Sequence, residues 1–132
     1  MSTIAPPGIT AVGQVAINVH DVERAIAFYR GVLGLRFLFQ IPNAAFFDCG
    51  GLRLMLGTPE KPELDHPASI LYYRVADILA AYASLQSAGA ATEDAPHLVA
   101  RMPDHELWMF FVRDPEGNLL GVMSEVREGR VS

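Results

Sequence analysis

One stretch near the N-terminus alternates between β-branched side chains and polar or small ones. From Gln14 to Val19 every second residue is valine or isoleucine, the pattern of a strand with one face on a hydrophobic core. Beyond Asp21, apolar residues recur at the three- and four-residue spacing of an amphipathic helix over residues 22–33. Asp21 suits the N-cap of that helix, and Gly34 suits the left-handed position after its end. The pattern predicts a strand followed by a helix.

Three short apolar runs follow the predicted helix. Turn-forming pairs separate them, with Pro42-Asn43 between the first two runs and Gly50-Gly51 between the last two. The three predicted strands cover residues 35–41, 44–49 and 52–56. The first half of the chain is therefore predicted to be a βαβββ unit.

The second half of the chain repeats this order. The halves match at a strand residue, a cap, a helix residue and a helix end: Val19 with Val75, Asp21 with Asp77, Ala25 with Ala81, and Gly34 with Gly89 after a one-residue slip. We interpret the match as a duplicated unit. Its predicted elements are a strand over 69–75, a helix over 78–88, and strands over 91–95, 107–112 and 118–125, with a turn at 114–117. Between the halves, a segment rich in proline and charge predicts a linker.

The length of 132 residues fits a single domain spanning 1–132. Within it, the first module covers about 10–57, the linker 58–67, and the second module about 68–127. Hydrophobic residues make up 51% of the chain and charged residues 19%, so the chain can build a packed core.

The charge and the cysteine content exclude several classes of function. Ten Lys and Arg against fifteen Asp and Glu give a net charge of −5 with no basic run, which argues against nucleic acid as a partner. The single Cys49 excludes an internal disulfide and a cysteine-rich zinc site. The N-terminus has no signal-peptide pattern, and no apolar run is long enough to span a membrane, so we expect a cytoplasmic protein without a membrane partner.

Residues 96–108 have no obvious counterpart in the first half. Met102-Pro103 and Asp104-His105 break the strand pattern there, so the segment is predicted to be a loop over or beside the cup. His97 and His105 are candidates for general acid or base chemistry, although solvated or capping histidines are the plainer interpretation. A displaced metal site built from His97, Asp104, His105 and Glu106 is an alternative that an extended segment makes awkward.

Two segments resemble the vicinal oxygen chelate superfamily of glyoxalases, extradiol dioxygenases and bleomycin-binding proteins. They are VGQVAINVHDVERAIAFYRGVLGL at 12–35 and FVRDPEGNLLGVMSE at 111–125, and the repeat extends the resemblance over nearly all of 10–127. The resemblance implies an α+β fold in which two tandem βαβββ modules form a curled mixed sheet. That sheet is expected to make a cup for the ligand, with the helices outside.

The resemblance also implies four metal-ligand positions, which fall on Gln14, Met55, Ile70 and Gly121. Members of the superfamily carry His, Glu or Gln there, whereas only Gln14 offers a ligand for a hard cation. A single neutral amide cannot hold Mg²⁺, Zn²⁺ or Fe²⁺ against water. We therefore expect neither a metal nor another cofactor, unless the ligands lie in a different register and a divalent metal binds there.

Strand alternation predicts which side chains line the cup. It selects Gln14, Asn18, Arg53, Met55, Ile70, Tyr72, Arg74, Gly121 and Met123, and we add Trp108 as a large amphipathic residue. Such a lining would suit a small organic molecule that is mainly apolar or aromatic and carries an anionic or oxygenated group. Plainer interpretations treat Arg53 and Arg74 as surface charges and the two methionines as core.

Three functions are consistent with this sequence. The first is a small-molecule binding protein without the metal. The second is an enzyme of the lyase, isomerase or dioxygenase type, with displaced ligands or histidine-based chemistry. The third is a domain for association with other chains. The resemblance further implies a homodimer in which two subunits complete each cup, and four phenylalanines fit either such an interface or a core: Phe37, Phe39, Phe46 and Phe47.

Overall fold

The computed structural model describes residues 6–67 and 69–127. Residues 1–5, Ala68 and residues 128–132, which belong to the predicted domain span, lie outside this part. The strands of the first half are β1 (Gln14–Asn18), β2 (Arg36–Ile41), β3 (Ala44–Cys49) and β4 (Leu52–Gly57). They form a sheet in the order β1-β4-β3-β2, in which β1 is parallel to β4 and the other neighbours are antiparallel. The predicted βαβββ order of this half is confirmed.

Helix α1 (Val22–Ile26) starts where the sequence predicts. Asp21 is its N-cap and accepts a hydrogen bond from the backbone N–H of Arg24 at 3.0 Å. The helical path continues as a π-helical segment, Ala27–Val32, which the apolar spacing does not distinguish from an α-helix. This segment buries Tyr29 completely.

The second half builds a five-stranded sheet around its own helix. Its elements are β5 (Leu71–Arg74), α2 (Ile78–Ser87), β6 (Ala91–Thr92), β7 (His97–Arg101), β8 (Glu106–Arg113) and β9 (Leu119–Val126). The strand order is β5-β9-β8-β6, with β7 also paired to β8, and β5 is parallel to β9. Asp77 caps α2 by accepting from the N–H of Ala80 at 3.0 Å, as Asp21 does for α1. Together the two mixed sheets and two helices confirm the α+β class.

The prediction of a loop without a counterpart over 96–108 is wrong. Strands β6 and β7 both pair with β8, and together they take the place that β2 takes beside β3. In the gap between them, the Asp94 carboxylate accepts from the N–H of Phe111 at 2.7 Å. A side chain thus replaces a missing backbone partner, so the interruption at Pro96 divides a strand without ending the pairing.

One hydrophobic core cluster includes residues from both halves. Alternate residues of the central strands point into it, among them Ile17, Leu56 and Val122, each at most 4% exposed. Helix α1 packs on β3 and β4, and α2 packs on β6 and β9. Because side chains alternate along a strand, those at the intervening positions point away from the core. We call the side of each sheet that faces away from this core its outer face. The outer faces contain most of the candidate site residues.

A buried carboxylate joins the two segments that carry the family resemblance. Asp114, 5% exposed, accepts a hydrogen bond from Tyr29 Oη at 2.8 Å across the two halves. It also accepts from the backbone N–H groups of Glu116 and Asn118 at 2.9 and 2.8 Å, which shapes the turn before β9. Burial raises the pKa of Tyr29, so its hydroxyl remains a neutral donor.

The segment between the modules packs against β1. It contains a short 3₁₀ turn, Pro62–Leu64, and the side-chain amide of Asn18 donates to the carbonyl oxygens of Leu64 and His66 at 2.6 and 3.2 Å. The linker is therefore fixed at the end of β1. Within the described ranges, no helix combines the length and the hydropathy needed to cross a membrane.

Candidate ligand-binding site

A row of flat side chains crosses the outer face of the first sheet. The rings of Phe39 on β2 and Phe46 on β3 stack with centroids 4.5 Å apart. The Arg53 guanidinium on β4 lies 5.8 Å from the centre of the Phe46 ring, and its Nε donates to Gln14 Oε1 on β1 at 2.8 Å. The row therefore joins two aromatic rings, a cation and an amide across all four strands.

The positive charge of Arg53 has no carboxylate partner within 4.0 Å among the described residues. Asp48 is its register partner on β3, yet the guanidinium is bonded to the neutral Gln14 amide. Four arginines lie beside carboxylates, namely Arg24, Arg101, Arg113 and Arg127, whereas Arg30, Arg36 and Arg74 resemble Arg53 in having no such ion pair within the described residues. A guanidinium whose Nε is held in place and whose charge is not neutralised is suited to bind an anion.

The outer face of the second sheet is apolar and tightly closed at one point. Tyr72 on β5 is in register with Gly121 on β9, and a Cβ built on that glycine would lie 2.4 Å from the Tyr72 ring. Phe111 on β8 is also in register with Gly121, and its ring contacts Tyr72 edge to face at 5.8 Å between centroids. Only glycine fits beneath the Tyr72 ring in this arrangement.

Several other predicted residues lie on these outer faces or beside them. Met55 is in register with Ala16, and its sulfur accepts from the Gln14 amide at 3.7 Å. Met123 is in register with Arg74 on the second sheet. Ile70 precedes β5 and is 44% exposed. The Asn18 amide, in contrast, is used to hold the linker.

Trp108 lies on the wrong face for the predicted site. It is in register with Ser124, which belongs to the buried side of β9, and its ring packs against the core. Its indole N–H donates to Glu106 at 3.2 Å. The alternation along β8 places Met109 and Phe111 on the outer face instead. Phe111 was therefore missed, although counting from its strand partner Gly121 would have selected it.

The two arginines expected to clamp an anion lie on different sheets. Arg53 is on the first sheet and Arg74 on the second, and no hydrogen bond or ion pair links them in the part of the chain that the structure describes. Arg53 is positioned by Gln14, whereas Arg74 is exposed at the end of β5. The geometry supports Arg53 as the stronger anion-binding residue.

His97 and His105 lie at opposite ends of the β7 hairpin arm. His97 Nδ1 faces the carbonyl of Ala95 at 3.0 Å, and His105 Nδ1 faces Asp104 at 2.7 Å. Across residues 6–67 and 69–127, no group of three His, Cys, Asp or Glu side chains is placed to hold a metal ion.

The two acidic residues near His105 are engaged by arginines. A hydrogen bond from Arg127 lowers the pKa of Asp104, and one from Arg101 lowers that of Glu106. The alternative metal cluster is thus divided into separate ion pairs.

A cavity of about 350 Å³ lies where the two halves meet. Its walls are mainly apolar, and it also contacts Cys49 and Tyr73, whose pKa values are both raised by burial. The Tyr73 hydroxyl is buried and has no hydrogen-bond partner among the described residues. Tyr72 and Arg74 of the predicted site border this cavity at the joint between the modules, whereas Gln14 and Arg53 do not.

Comparison with known families decides the classification. The model of the Glyoxalase/Bleomycin resistance protein/Dioxygenase superfamily matches residues 11–122. The chain belongs to this superfamily. Among curated proteins, it is 32% identical over 65 residues to a metallothiol transferase, FosB, of Lysinibacillus sphaericus. That match includes 49% of this chain and spans only 43% of the relative.

Solved structures of the superfamily share the fold. A member from Sphaerobacter thermophilus is 26% identical with a TM-score of 0.70, covering 89% of this chain and 98% of that one. A lactoylglutathione lyase from Agrobacterium tumefaciens is 24% identical with a TM-score of 0.66, covering 91% of this chain and 96% of that one. The resemblance stated from the two sequence segments is confirmed.

The residues present do not fit the divalent metal that the superfamily usually uses. At the first expected position, the Gln14 oxygen already accepts from Arg53, whose positive charge would repel a cation. At the last, Gly121 has no ligand atom and the Tyr72 ring covers it. Met55 and Ile70 offer no hard oxygen or imidazole ligand. The geometry of this chain therefore opposes a metal at these positions.

Proposed function

We propose that this superfamily member binds a small, mainly apolar or aromatic molecule carrying an anionic group, without a metal. The observation that carries the proposal is the Gln14–Arg53 pair at the end of the Phe39–Phe46 stack. The guanidinium supplies a positioned positive charge, and the rings supply apolar surface beside it. Arg53 binds the anionic end of the ligand. The Tyr72–Phe111 pair, on the outer face of a second sheet, covers its apolar part.

The proposal includes a homodimer that brings two outer faces together as a cup. Four large apolar residues at these faces are between 44% and 48% exposed: Phe39, Ile41, Ile70 and Tyr72. The edge strands β1 and β5 each pair with a single strand among the described residues. Of the four phenylalanines considered for an interface, Phe37 and Phe47 pack in or against the core, which leaves Phe39 and Phe46 for the contact. Light scattering after size exclusion should give a dimer, and a strict monomer would contradict this part.

A matched pair of ligands tests the anion site. The planar carboxylate 1-naphthoate should bind more tightly than the uncharged 1-naphthamide, measured by titration calorimetry. Arg53→Gln should weaken naphthoate about tenfold, the effect of losing a charge-assisted hydrogen bond of about 1.4 kcal/mol. The affinity for naphthamide should change less than about twofold, because the amide has no negative charge to lose.

Two further arginines serve as controls for this titration. Arg74→Gln should weaken naphthoate by only about twofold, since Arg74 is exposed and has no side-chain hydrogen bond within the described residues. Arg101→Gln, an exposed arginine on β7, should leave the affinity unchanged. Equal binding of the two ligands, or equal losses from Arg53→Gln and Arg101→Gln, would refute the anion site.

The second candidate is an enzyme, which the names of a metallothiol transferase and a lactoylglutathione lyase among the similar proteins favour. Elemental analysis of protein purified without chelator separates the two functions. Metal at one equivalent per chain would support the enzyme. If Gln14→Ala also retains that metal, the ligands lie elsewhere in the chain. Absence of bound metal after incubation with Ni²⁺, Zn²⁺ and Fe²⁺ is the result that the binding protein predicts.

A further inference from the structure

Both ring nitrogens of His20 face carboxylates. Nδ1 lies 3.0 Å from Glu116 Oε1 in the turn between β8 and β9, and Nε2 lies 3.0 Å from Asp65 Oδ2 in the linker. A neutral imidazole has a single N–H, so its other nitrogen would turn a lone pair toward a carboxylate. Only the protonated ring, which has two N–H groups, can donate to both. This geometry therefore requires the imidazolium form of His20.

The two carboxylates differ in what else holds them. The Glu116 side chain is 6% exposed and also accepts from the Asp21 N–H at 3.0 Å and from Arg24 at 3.3 Å. The Asp65 side chain is 41% exposed, and His20 is its one side-chain hydrogen-bond partner within the described residues. Loss of the His20 proton leaves one N–H and no positive charge for two carboxylates. Glu116 keeps its other partners, whereas the attachment of Asp65 is weakened.

The linker that Asp65 belongs to closes over a polar cavity. The Asn18 amide holds the carbonyls of Leu64 and His66, and a cavity of about 310 Å³ lies between this part of the linker and the turn before β9. Its walls are Asn18, His20, Asp65, His66, Pro67 and residues 116–118. Movement of the linker would change both the shape of this cavity and the end of β1.

We propose that protonated His20 pins the linker to the second module across the end of β1, and that loss of its proton weakens this attachment and leaves the Asn18 amide to hold the linker. The inference does not depend on the proposed ligand or on a metal. The charged and titratable groups around His20 come from three elements: Asp65 and His66 from the linker, Glu116 from the turn, and Asp21 and Arg24 from the start of α1.

The direction of the pH response follows from these contacts. The hydrogen bond to Asp65, followed by the one to Glu116, raises the pKa of His20 above its ordinary value of 6.5. A raised pKa in the folded protein means that the stabilisation is complete below the ordinary value. It is lost as the pH rises through the raised value. The linker is therefore held by both His20 and Asn18 at low pH, and mainly by Asn18 once the pH exceeds the raised pKa of His20.

Two amides in the linker can report its weaker attachment. The N–H groups of Leu64 and Asp65 donate to the carbonyls of Lys61 and Pro62 at 3.0 and 3.1 Å, so they are protected from solvent exchange only while this turn is held. NMR exchange rates, corrected for intrinsic pH dependence, are measured from about pH 5.5 to about pH 8.5. We expect protection to fall about two- to fivefold as the His20 ring resonances titrate, the size of effect that an exposed charge pair supports.

Two variants test whether His20 is the responsible group. His20→Gln should show the low protection at every pH. Glutamine has no positive charge, and its two N–H groups are on a single nitrogen, so they cannot replace the two separate N–H groups of the protonated ring. His66→Gln removes a histidine of the same linker without touching Asp65, and it should keep the wild-type response. Protection that does not change with pH in the wild type would overturn the proposal. So would a pH response that survives in His20→Gln or disappears in His66→Gln.

Discussion

The parallel strand pair of each module, β1 with β4 and β5 with β9, combines a large and a small side chain at equivalent positions, but the large one is on different strands in the two modules. In the first sheet, the small Ala16 on β1 faces Met55 on β4, whereas in the second the large Tyr72 on β5 faces Gly121 on β9. Each pair combines one large and one small side chain, so each fills its outer face. The difference shows that the duplicated backbone accepts the larger side chain on either strand of this pair.

The neighbouring positions show where this choice matters for chemistry. Beside the Ala16–Met55 pair lies Gln14 with Arg53, joined by a hydrogen bond. Beside the Tyr72–Gly121 pair lies Arg74 with Met123, which have no such bond. The first face therefore holds its cation in a fixed position, while the second covers its centre with an aromatic ring. In the proposed function, polar recognition therefore falls to one module and apolar cover to the other.

The hydrogen bond between Tyr29 and Asp114 joins the two modules that contain these faces, and Asp114→Ala should remove it. We expect the free energy of unfolding to fall by about 3–5 kcal/mol, because the substitution leaves buried Tyr29 and two turn amides without their acceptor. Urea denaturation measures it. Glu60→Ala, an exposed linker substitution, should stay within about 0.5 kcal/mol. A loss from Asp114→Ala below about 1 kcal/mol would mean that the joint does not depend on this carboxylate.

Adding a methyl group at Gly121, on the outer face of the second sheet, tests directly whether the Tyr72 ring occupies the space above it. Gly121→Ala should lower the free energy of unfolding by about 1–3 kcal/mol, because its Cβ would meet the Tyr72 ring at 2.4 Å. In a Tyr72→Ala background the same substitution should cost less than about 0.5 kcal/mol. Gly13→Ala is the control, since its Cβ would meet nothing within 4 Å. Equal costs with and without Tyr72 would disprove the pairing.

The smallest expected effect concerns the turn that precedes β9. Burial by itself raises the pKa of Glu116, but hydrogen bonds from His20, Asp21 and Arg24 outweigh it and lower the pKa below the ordinary 4.5. A lowered pKa stabilises the fold above that ordinary value, and the stabilisation is lost as the pH falls through the lowered one. Thermal unfolding at neutral pH and at about pH 3 should therefore show a smaller acid-induced decrease in Glu116→Gln than in the wild type. Parallel decreases would contradict this assignment.

Local signals were enough to predict the repeated elements. The caps Asp21 and Asp77 act within three residues, so their role does not depend on the rest of the fold. Strand alternation also placed Gln14, Arg53, Tyr72 and Gly121 on outer faces, because side-chain direction has a period of two in any strand.

Features that depend on pairing between distant segments could not be predicted in this way. Strand β7 exists because β8 accepts it across a bulge between Leu98 and Ala100, and nothing local to residues 96–101 indicates that pairing. The Trp108 error arose because size and amphipathic character were considered without its register to Ser124. The contact of Tyr72 with Gly121 likewise requires the parallel register of two strands that are far apart in the chain.

The ring above Gly121 also sets an order on how this sequence can evolve. A single nucleotide change converts any glycine codon to one for aspartate or glutamate, so a carboxylate at this position is always one mutation away. While Tyr72 is present, however, that mutant must accommodate a side chain where even a Cβ lies 2.4 Å from the ring. Lineages that first replace Tyr72 avoid the strained intermediate. The aromatic ring therefore disfavours any side chain at position 121 until the ring itself is moved or replaced.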